Sequence, residues 1–137
     1  MVRRMTTRSI DTNILLRLLV VDDAVQNAIV ERLLATSRLF VQWTVLVEAE
    51  WAMRKLVRAE RGEINHLFRN LLSVENIAIE RPDVLAQVLD LHAAGMDFAD
   101  AAHLCLTPSG MTFTTFDRKL VSRSKNLMHN ASVELAV

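Results

Sequence analysis

Short apolar runs alternate along the chain with stretches in which apolar residues recur at helical spacing. Val25, Ile29 and Leu33, for example, lie four residues apart, which predicts one face of a helix. Strands separated by helices favour right-handed crossovers and a largely parallel sheet covered on both faces. The predicted helices span 13–20, 24–35, 45–58, 64–72, 82–94, 98–106 and 118–121. One predicted strand ends at Ile10, and the other four span 39–41, 77–79, 111–114 and 132–135.

Several polar residues and breakers stand where these helices should begin or end. Asp22 or Asp23 can cap the helix over 24–35, and Thr44 can cap the helix over 45–58. Pro82 suits the first turn of a helix, and Gly95 suits the position just after its end. In parallel sheets ligands bind beyond the carboxyl ends of the strands, so the residues that follow each strand are the candidates for chemistry.

Acidic residues follow four of the predicted strands. Asp11 and Asp117 end two strand-like runs directly, and a third strand leads at once into the helix that carries Glu48. The fourth leads through one helix to a segment with Asp97 and Asp100. We therefore expect these carboxylates to converge at one edge of the sheet.

The helix that carries Glu48 also carries Glu50, and helical geometry separates the two. At about 100° per residue, Glu48 lies about 60° from Val45, at the margin of the apolar stripe, whereas Glu50 points to the far side. We predict that Glu48 is partly desolvated and that Glu50 is an ordinary solvated charge. The apolar stripe itself is formed by Val45, Ala49, Ala52, Met53 and Leu56.

Each acid also has a purely structural interpretation. Asp11, Asp97 and Asp117 all stand where a helix begins, and aspartate is a favoured N-cap. Asp97 with Asp100 resembles a capping pair, so Asp97 can be structural. Glu48 can form a surface ion pair with a cation of its own helix, Arg54 or Lys55.

A convergent set of carboxylates favours a bound cation. Two carboxylates ~6 Å apart at an effective dielectric constant of ~20 repel by ~3 kcal/mol, and further acids add to this. Oxygen ligands suit Mg²⁺ or Mn²⁺, and the four histidines (His66, His92, His103 and His129) show no metal-ligand spacing. A divalent ion among carboxylates can activate a water and neutralise phosphate charge, which suits phosphodiester hydrolysis.

Length and composition limit the number of domains and the classes of protein to which the chain could belong. The 137 residues predict a single domain over 1–137, and 16 basic residues against 16 acidic ones predict no bulk attraction to nucleic acid or membrane. One cysteine excludes a disulfide framework. The apolar run over 14–21 is interrupted by Arg17 and is too short to span a bilayer at ~20 residues, so we expect a soluble, cytoplasmic protein.

Four motifs in this order resemble the PIN domain, and more specifically the VapC-type toxins of bacterial toxin–antitoxin pairs, over about residues 8 to 137. The motifs are Ile10-Asp11-Thr12-Asn13-Ile14-Leu15, Leu46-Val47-Glu48 with Trp51 and Arg54, Asp97-Phe98-Ala99-Asp100-Ala101, and Thr115-Phe116-Asp117-Arg118-Lys119-Leu120. The resemblance implies a three-layer α/β/α sandwich with a mainly parallel central sheet, and an endoribonuclease that depends on Mg²⁺ or Mn²⁺. It implies a homodimer held inactive by a small antitoxin protein.

The resemblance also assigns roles to individual residues. Asp11, Glu48, Asp100 and Asp117 match the catalytic acidic quartet, and Asp97 matches a further acid that is often present at the metal site. Asn13 and Thr115 match supporting polar residues. Contacts to RNA are expected from local basic groups, above all Arg54, Lys55, Arg118 and Lys119, with Arg17, Arg58, Arg61, Arg123 and Lys125 as further candidates.

Other functions stay open at this point. A non-catalytic binding or signalling module with an acidic pocket would need a lysine near the acids, for which Lys119 is the candidate. A DNA-directed nuclease or a phosphatase of related fold is a closer alternative. The proline at 108 also leaves the end of the helix over 98–106 uncertain.

Overall fold

A computed structural model describes residues 5–20, 23–128 and 131–137. Asp22, one of the two predicted caps, and His129 lie outside these ranges. The chain divides into two compact units, residues 1–82 and residues 83–137. The described ranges contain no helix with the length and apolar character needed to cross a membrane.

The first unit contains a three-stranded parallel sheet in the order β1-β2-β3. Helices α1 and α3 pack against each other, and the core is formed by buried side chains such as Leu15, Leu39 and Leu46. In chain order its elements are β1 (Thr6–Ser9), α1 (Thr12–Leu19), α2 (Ala24–Thr36), β2 (Ser37–Val41), α3 (Trp43–Lys55), α4 (Arg61–Leu71) and β3 (Ile77–Ile79).

The second unit contains a two-stranded parallel sheet with a core that includes Leu85, Phe98 and Leu120. Gly95 adopts φ +108°, which a glycine tolerates, and its N–H bonds the carbonyl of His92, so it ends the preceding helix as predicted. In chain order the elements are α5 (Pro82–Ala93), α6 (Phe98–Leu106), β4 (Phe113–Thr115), α7 (Arg118–Leu127) and β5 (Val133–Leu135).

The alternation of helices with parallel strands confirms the predicted α/β class. The bounds of α6 and β3 agree with the prediction, whereas α7 continues to Leu127 instead of ending at 121. Its buried side is short and partly polar, formed by Leu120 and Ser124, so the apolar periodicity that marks a helix is weak there.

The start of α3 also differs from the prediction. Thr44 lies inside the helix, and the N-cap residue is Gln42, which makes no side-chain capping bond. Instead, a carboxylate oxygen of Glu80, at the end of β3, accepts the N–H of Trp43 at 2.9 Å. A carboxylate at this position also interacts favourably with the helix dipole. This cap comes from 37 residues along the chain, so local sequence could not indicate it.

Candidate functional site

Asp11 lies directly beyond the carboxyl end of β1. Ile10 is buried and continues the ladder, since its N–H bonds the Phe40 carbonyl at 3.1 Å. Asp11 is exposed and caps α1, with its Oδ1 accepting the N–H of Ile14 at 3.0 Å. Asn13, in the first turn, is exposed as well. The capping interpretation of Asp11 is therefore confirmed, and its carboxylate is in contact with solvent.

The solvent exposure of Glu48 and Glu50 is the reverse of the prediction. Glu48 is exposed, whereas Glu50 is only 3% exposed and pairs with Arg54, whose Nε lies 3.1 Å from the Glu50 Oε2. The buried face of α3 includes Trp43 and Leu46, and Glu50 lies one turn beyond Leu46 on that face. Ala49, Ala52 and Met53 of the predicted stripe are buried as expected, but Val45 is half-buried and Leu56 is exposed. The centre of the buried face was therefore placed about one residue too early.

Asp97 and Asp100 stand at the start of α6. Asp97 is exposed and caps the helix, because its Oδ2 accepts the N–H of Asp100 at 3.1 Å. Asp100 lies in the first turn and is half-buried. The capping role predicted for Asp97 is confirmed, and the same bond holds the two acidic residues next to each other.

Asp117 lies beyond the carboxyl end of β4 and caps α7, with its Oδ1 accepting the N–H of Leu120 at 3.0 Å. Its own N–H donates to the Thr115 hydroxyl at 3.0 Å. Thr115 therefore holds the backbone turn that presents Asp117. A local hydrogen bond of this kind is the support that a polar residue at this position was expected to supply.

The three acids of the second unit are electrostatically coupled. The pKa of Asp100 is raised above its ordinary value of 3.8, first by burial and then by the negative charges of Asp97 and Asp117, while His103 acts in the opposite direction. His103, in the last turn of α6, is exposed and stacks on Phe113. The charge repulsion that raises this pKa is the repulsion that a bound cation would relieve.

The predicted acids are divided between the two units, with Asp11 and Glu48 in the first and Asp97, Asp100 and Asp117 in the second. Convergence of all five around one pocket stays a prediction. Within the described ranges, no three side chains of His, Cys, Asp or Glu are close enough together to form a ready-made metal site. The donor chemistry nevertheless fits a hard divalent ion, because Asp100 and the two groups whose negative charge raises its pKa, Asp97 and Asp117, are all carboxylates.

Some of the predicted basic residues make contacts within the protein, and others are exposed. Arg54 pairs with Glu50, and Arg123 donates to the Gly95 carbonyl at 2.6 Å, so both guanidinium groups take part in structure. Lys55, Arg118 and Lys119 are exposed. The last two begin α7, directly after Asp117.

Two features were not indicated by the sequence reasoning. Phe116, between Thr115 and Asp117, is 86% exposed, although an aromatic residue at the end of a strand would ordinarily be assigned to the core. A cavity of about 680 Å³ lies in the second unit, lined by residues that include Leu104, Cys105 and Val133. Cys105 is in the last turn of α6, at the opposite end of that helix from Asp100, so this cavity is separate from the coupled acids.

Comparison with known families agrees with the motif order. Residues 9–126 match the family described as the PIN domain, which covers most of the chain and includes all five acids. No individual curated protein matches the chain in sequence.

Proposed function

The chain belongs to the PIN domain family, whose members are generally nucleases, and from this we propose that it is an endoribonuclease that depends on Mg²⁺ or Mn²⁺. The observation that carries the proposal is the placement of Asp97 and Asp100 at the start of α6 and of Asp117 at the start of α7. Burial, together with the negative charges of Asp97 and Asp117, raises the pKa of Asp100, and a cation would relieve the repulsion among these acids. Asp11 and Glu48 would complete the acidic set.

Each of these residues would have a distinct role. Asp11, Asp100 and Asp117 would hold the ion, directly or through water, and Glu48 would position water or a second ion. Asp97 would add negative charge, and Thr115 would keep Asp117 in place through its backbone. A divalent ion bound there would supply Lewis acidity toward water and neutralise charge on the scissile phosphate. Lys55, Arg118 and Lys119 would contact flanking phosphates, giving salt-dependent binding with little sequence preference.

The test is RNA cleavage by the purified protein with Mn²⁺ or Mg²⁺, and its loss with EDTA. Asp100→Asn and Asp117→Asn should each lower cleavage by at least ~100-fold, as expected for loss of a group that holds the reacting complex. The matched control is Asp23→Asn. Asp23 caps α2 in the same way, with its Oδ1 accepting the Gln26 N–H at 3.0 Å, but it is not one of the five acids.

The comparison of variants decides between the candidate functions. Asparagine keeps the cap, so a lost activity in Asp117→Asn cannot be attributed to a lost helix start. Cleavage that persists in both site variants would refute the assignment. Cleavage of DNA but not RNA would favour the DNA-directed alternative, and no cleavage with retained ligand binding would favour the non-catalytic module.

We further propose that the protein is a cytoplasmic toxin of a type II toxin–antitoxin pair that acts as a homodimer. The order of the four motifs, which is similar to that of VapC-type toxins, supports this. Expression should arrest growth, Asp117→Asn should abolish the arrest, and co-expression of a small protein from an overlapping upstream reading frame should relieve it. Light scattering of the purified protein measures the oligomeric state, and a monomer would contradict the dimer.

A further inference from the structure

Phe116 is an exposed aromatic residue that does not contribute to the core. Its side chain is 86% exposed, whereas Phe68 and Phe98 are at most 1% exposed. Burial is what makes an aromatic side chain stabilising, so the Phe116 ring adds little to the free energy of folding. A single exposed apolar side chain is ordinary on a protein surface, so the role of Phe116 is inferred from its surroundings.

The backbone on both sides of Phe116 is held by hydrogen bonds. The Thr115 carbonyl accepts the Ala136 N–H at 2.7 Å, and the Thr115 hydroxyl accepts the Asp117 N–H at 3.0 Å. Asp117 in turn caps α7. The backbone that carries the ring is thus held in place, one residue from Asp117, and little backbone entropy would be lost when a ligand contacts the ring.

Helix α7, which begins two residues after Phe116, carries four basic residues and no acidic ones. Its inward side is marked by the buried residues Leu120 and Ser124. At about 100° per residue, Arg118 and Lys125 lie within about 20° of each other on the opposite side of the helix. Both are exposed, as is Lys119, so the outward face of α7 is a basic ridge.

An exposed aromatic ring beside a basic ridge is complementary to a single nucleic-acid strand. Basic side chains follow the phosphates, and an aromatic ring stacks on a base whose face is open. In a duplex the base faces are already stacked, so the ring has no partner there. A protein ligand would use the ring but would need acidic groups to match the ridge.

We propose that Phe116 is a positioning residue that stacks on an unpaired base of the RNA, while Arg118 and Lys125 on the basic ridge contact its phosphates. This proposal rests on the proposed nuclease function and deepens it. Stacking next to Asp117 would hold the nucleotide that contacts the ring close to the acidic group.

The test measures binding rather than cleavage, so that it is independent of the activity. A fluorescent twelve-nucleotide single-stranded RNA and a duplex of equal length are titrated with protein in Mg²⁺, in an Asp100→Asn background. Loss of one stacked base, at about 1–3 kcal/mol, corresponds to about 5- to 150-fold weaker single-strand binding in Phe116→Ala. Duplex binding should not change with this substitution.

Four further variants make the result specific. Phe116→Trp should restore single-strand binding and should show quenching of the added tryptophan fluorescence when RNA is bound, which a purely structural role would not produce. Val25→Ala is the matched control, because Val25 is 73% exposed on α2 of the first unit and should leave binding unchanged. Arg118→Ala and Lys125→Ala should each lower the salt slope of binding by about 0.7.

The outcomes separate this proposal from the proposed function. Unchanged single-strand binding in Phe116→Ala would overturn the stacking role, whether or not the wild-type protein cleaves RNA, and would point to a protein partner for the ring. Conversely, the predicted loss of binding in a protein that does not cleave RNA would overturn the nuclease function and leave the stacking role supported. Equal loss for single strand and duplex would also refute stacking.

Discussion

Arg54→Met should destabilise the protein strongly, because it leaves the carboxylate of Glu50 buried without its partner. The Glu50 side chain is 4% exposed and the Arg54 side chain 41% exposed, and the guanidinium bonds both carboxylate oxygens at 3.1–3.4 Å. Methionine keeps the aliphatic part of the arginine and removes only the charged group. The change therefore tests the ion pair rather than the packing of α3.

The magnitude follows from the burial of the carboxylate. Breaking a buried ion pair by removing one partner costs about 3–5 kcal/mol. Since Arg54 is partly open to water, we expect the lower end, about 3 kcal/mol, which is a large share of the ~5–15 kcal/mol that stabilises an ordinary domain. For a chain of this size the melting temperature should fall by about 10 °C.

The measurement is a double-mutant cycle in urea. Glu50→Leu combined with Arg54→Met removes both charges and should be more stable than Arg54→Met alone, because no unpaired buried charge remains. Lys55→Met, a neighbouring exposed cation on the same helix, is the control and should change the free energy of unfolding by less than about 0.5 kcal/mol. Strictly additive effects in the cycle would refute the reasoning.

Three further predictions follow from the second unit. Asp117→Ala should lower the free energy of unfolding in urea by about 1 kcal/mol, whereas Asp117→Asn should lower it by much less, since asparagine also caps a helix; equal losses would contradict the cap. The raised pKa of Asp100 means that the folded state binds its proton more tightly than the unfolded state, so its ionisation reduces stability as the pH rises above 3.8. Asp100→Asn should therefore raise the melting temperature near neutral pH, with a gain that disappears below pH 3.8; a gain independent of pH would argue against the coupling. Burial raises the pKa of the Cys105 thiol from 9.0 to about 11, so alkylation by iodoacetamide should be about 100-fold slower in the folded protein than in urea, and similar rates would show an open thiol.

Local signals predicted the elements best where the chain marks both ends of a helix. The bounds of α6 agree with the sequence because Asp97 caps the start, and the helix ends at Leu106 although Pro108 had left that end open in the prediction. Asp11 and Asp117 were identified as caps in the same way, and Asp23 was one of the two residues predicted to cap α2. These features are short-range, so they can be recognised without knowing the packing.

Features that depend on long-range packing could not be predicted. The burial of Glu50 depends on which face of α3 meets the core. The apolar pattern starting at Val45 predicts a face centred about one residue before the face that is buried. The Glu80 cap of α3 crosses 37 residues of sequence. The exposure of Phe116 is a property of the turn between β4 and α7, which apolar character alone does not indicate.

The helix caps have a consequence for how the proposed ion would be held. In Asp11, Asp97 and Asp117 one carboxylate oxygen accepts a backbone amide hydrogen, and the cap does not use the second oxygen. A cation held through that second oxygen would leave each helix start intact, whereas a cation chelated by both oxygens would compete with the amide for the first. Single-oxygen binding is compatible with the octahedral shell of magnesium, so the ion could bind and leave while the three helices keep their caps.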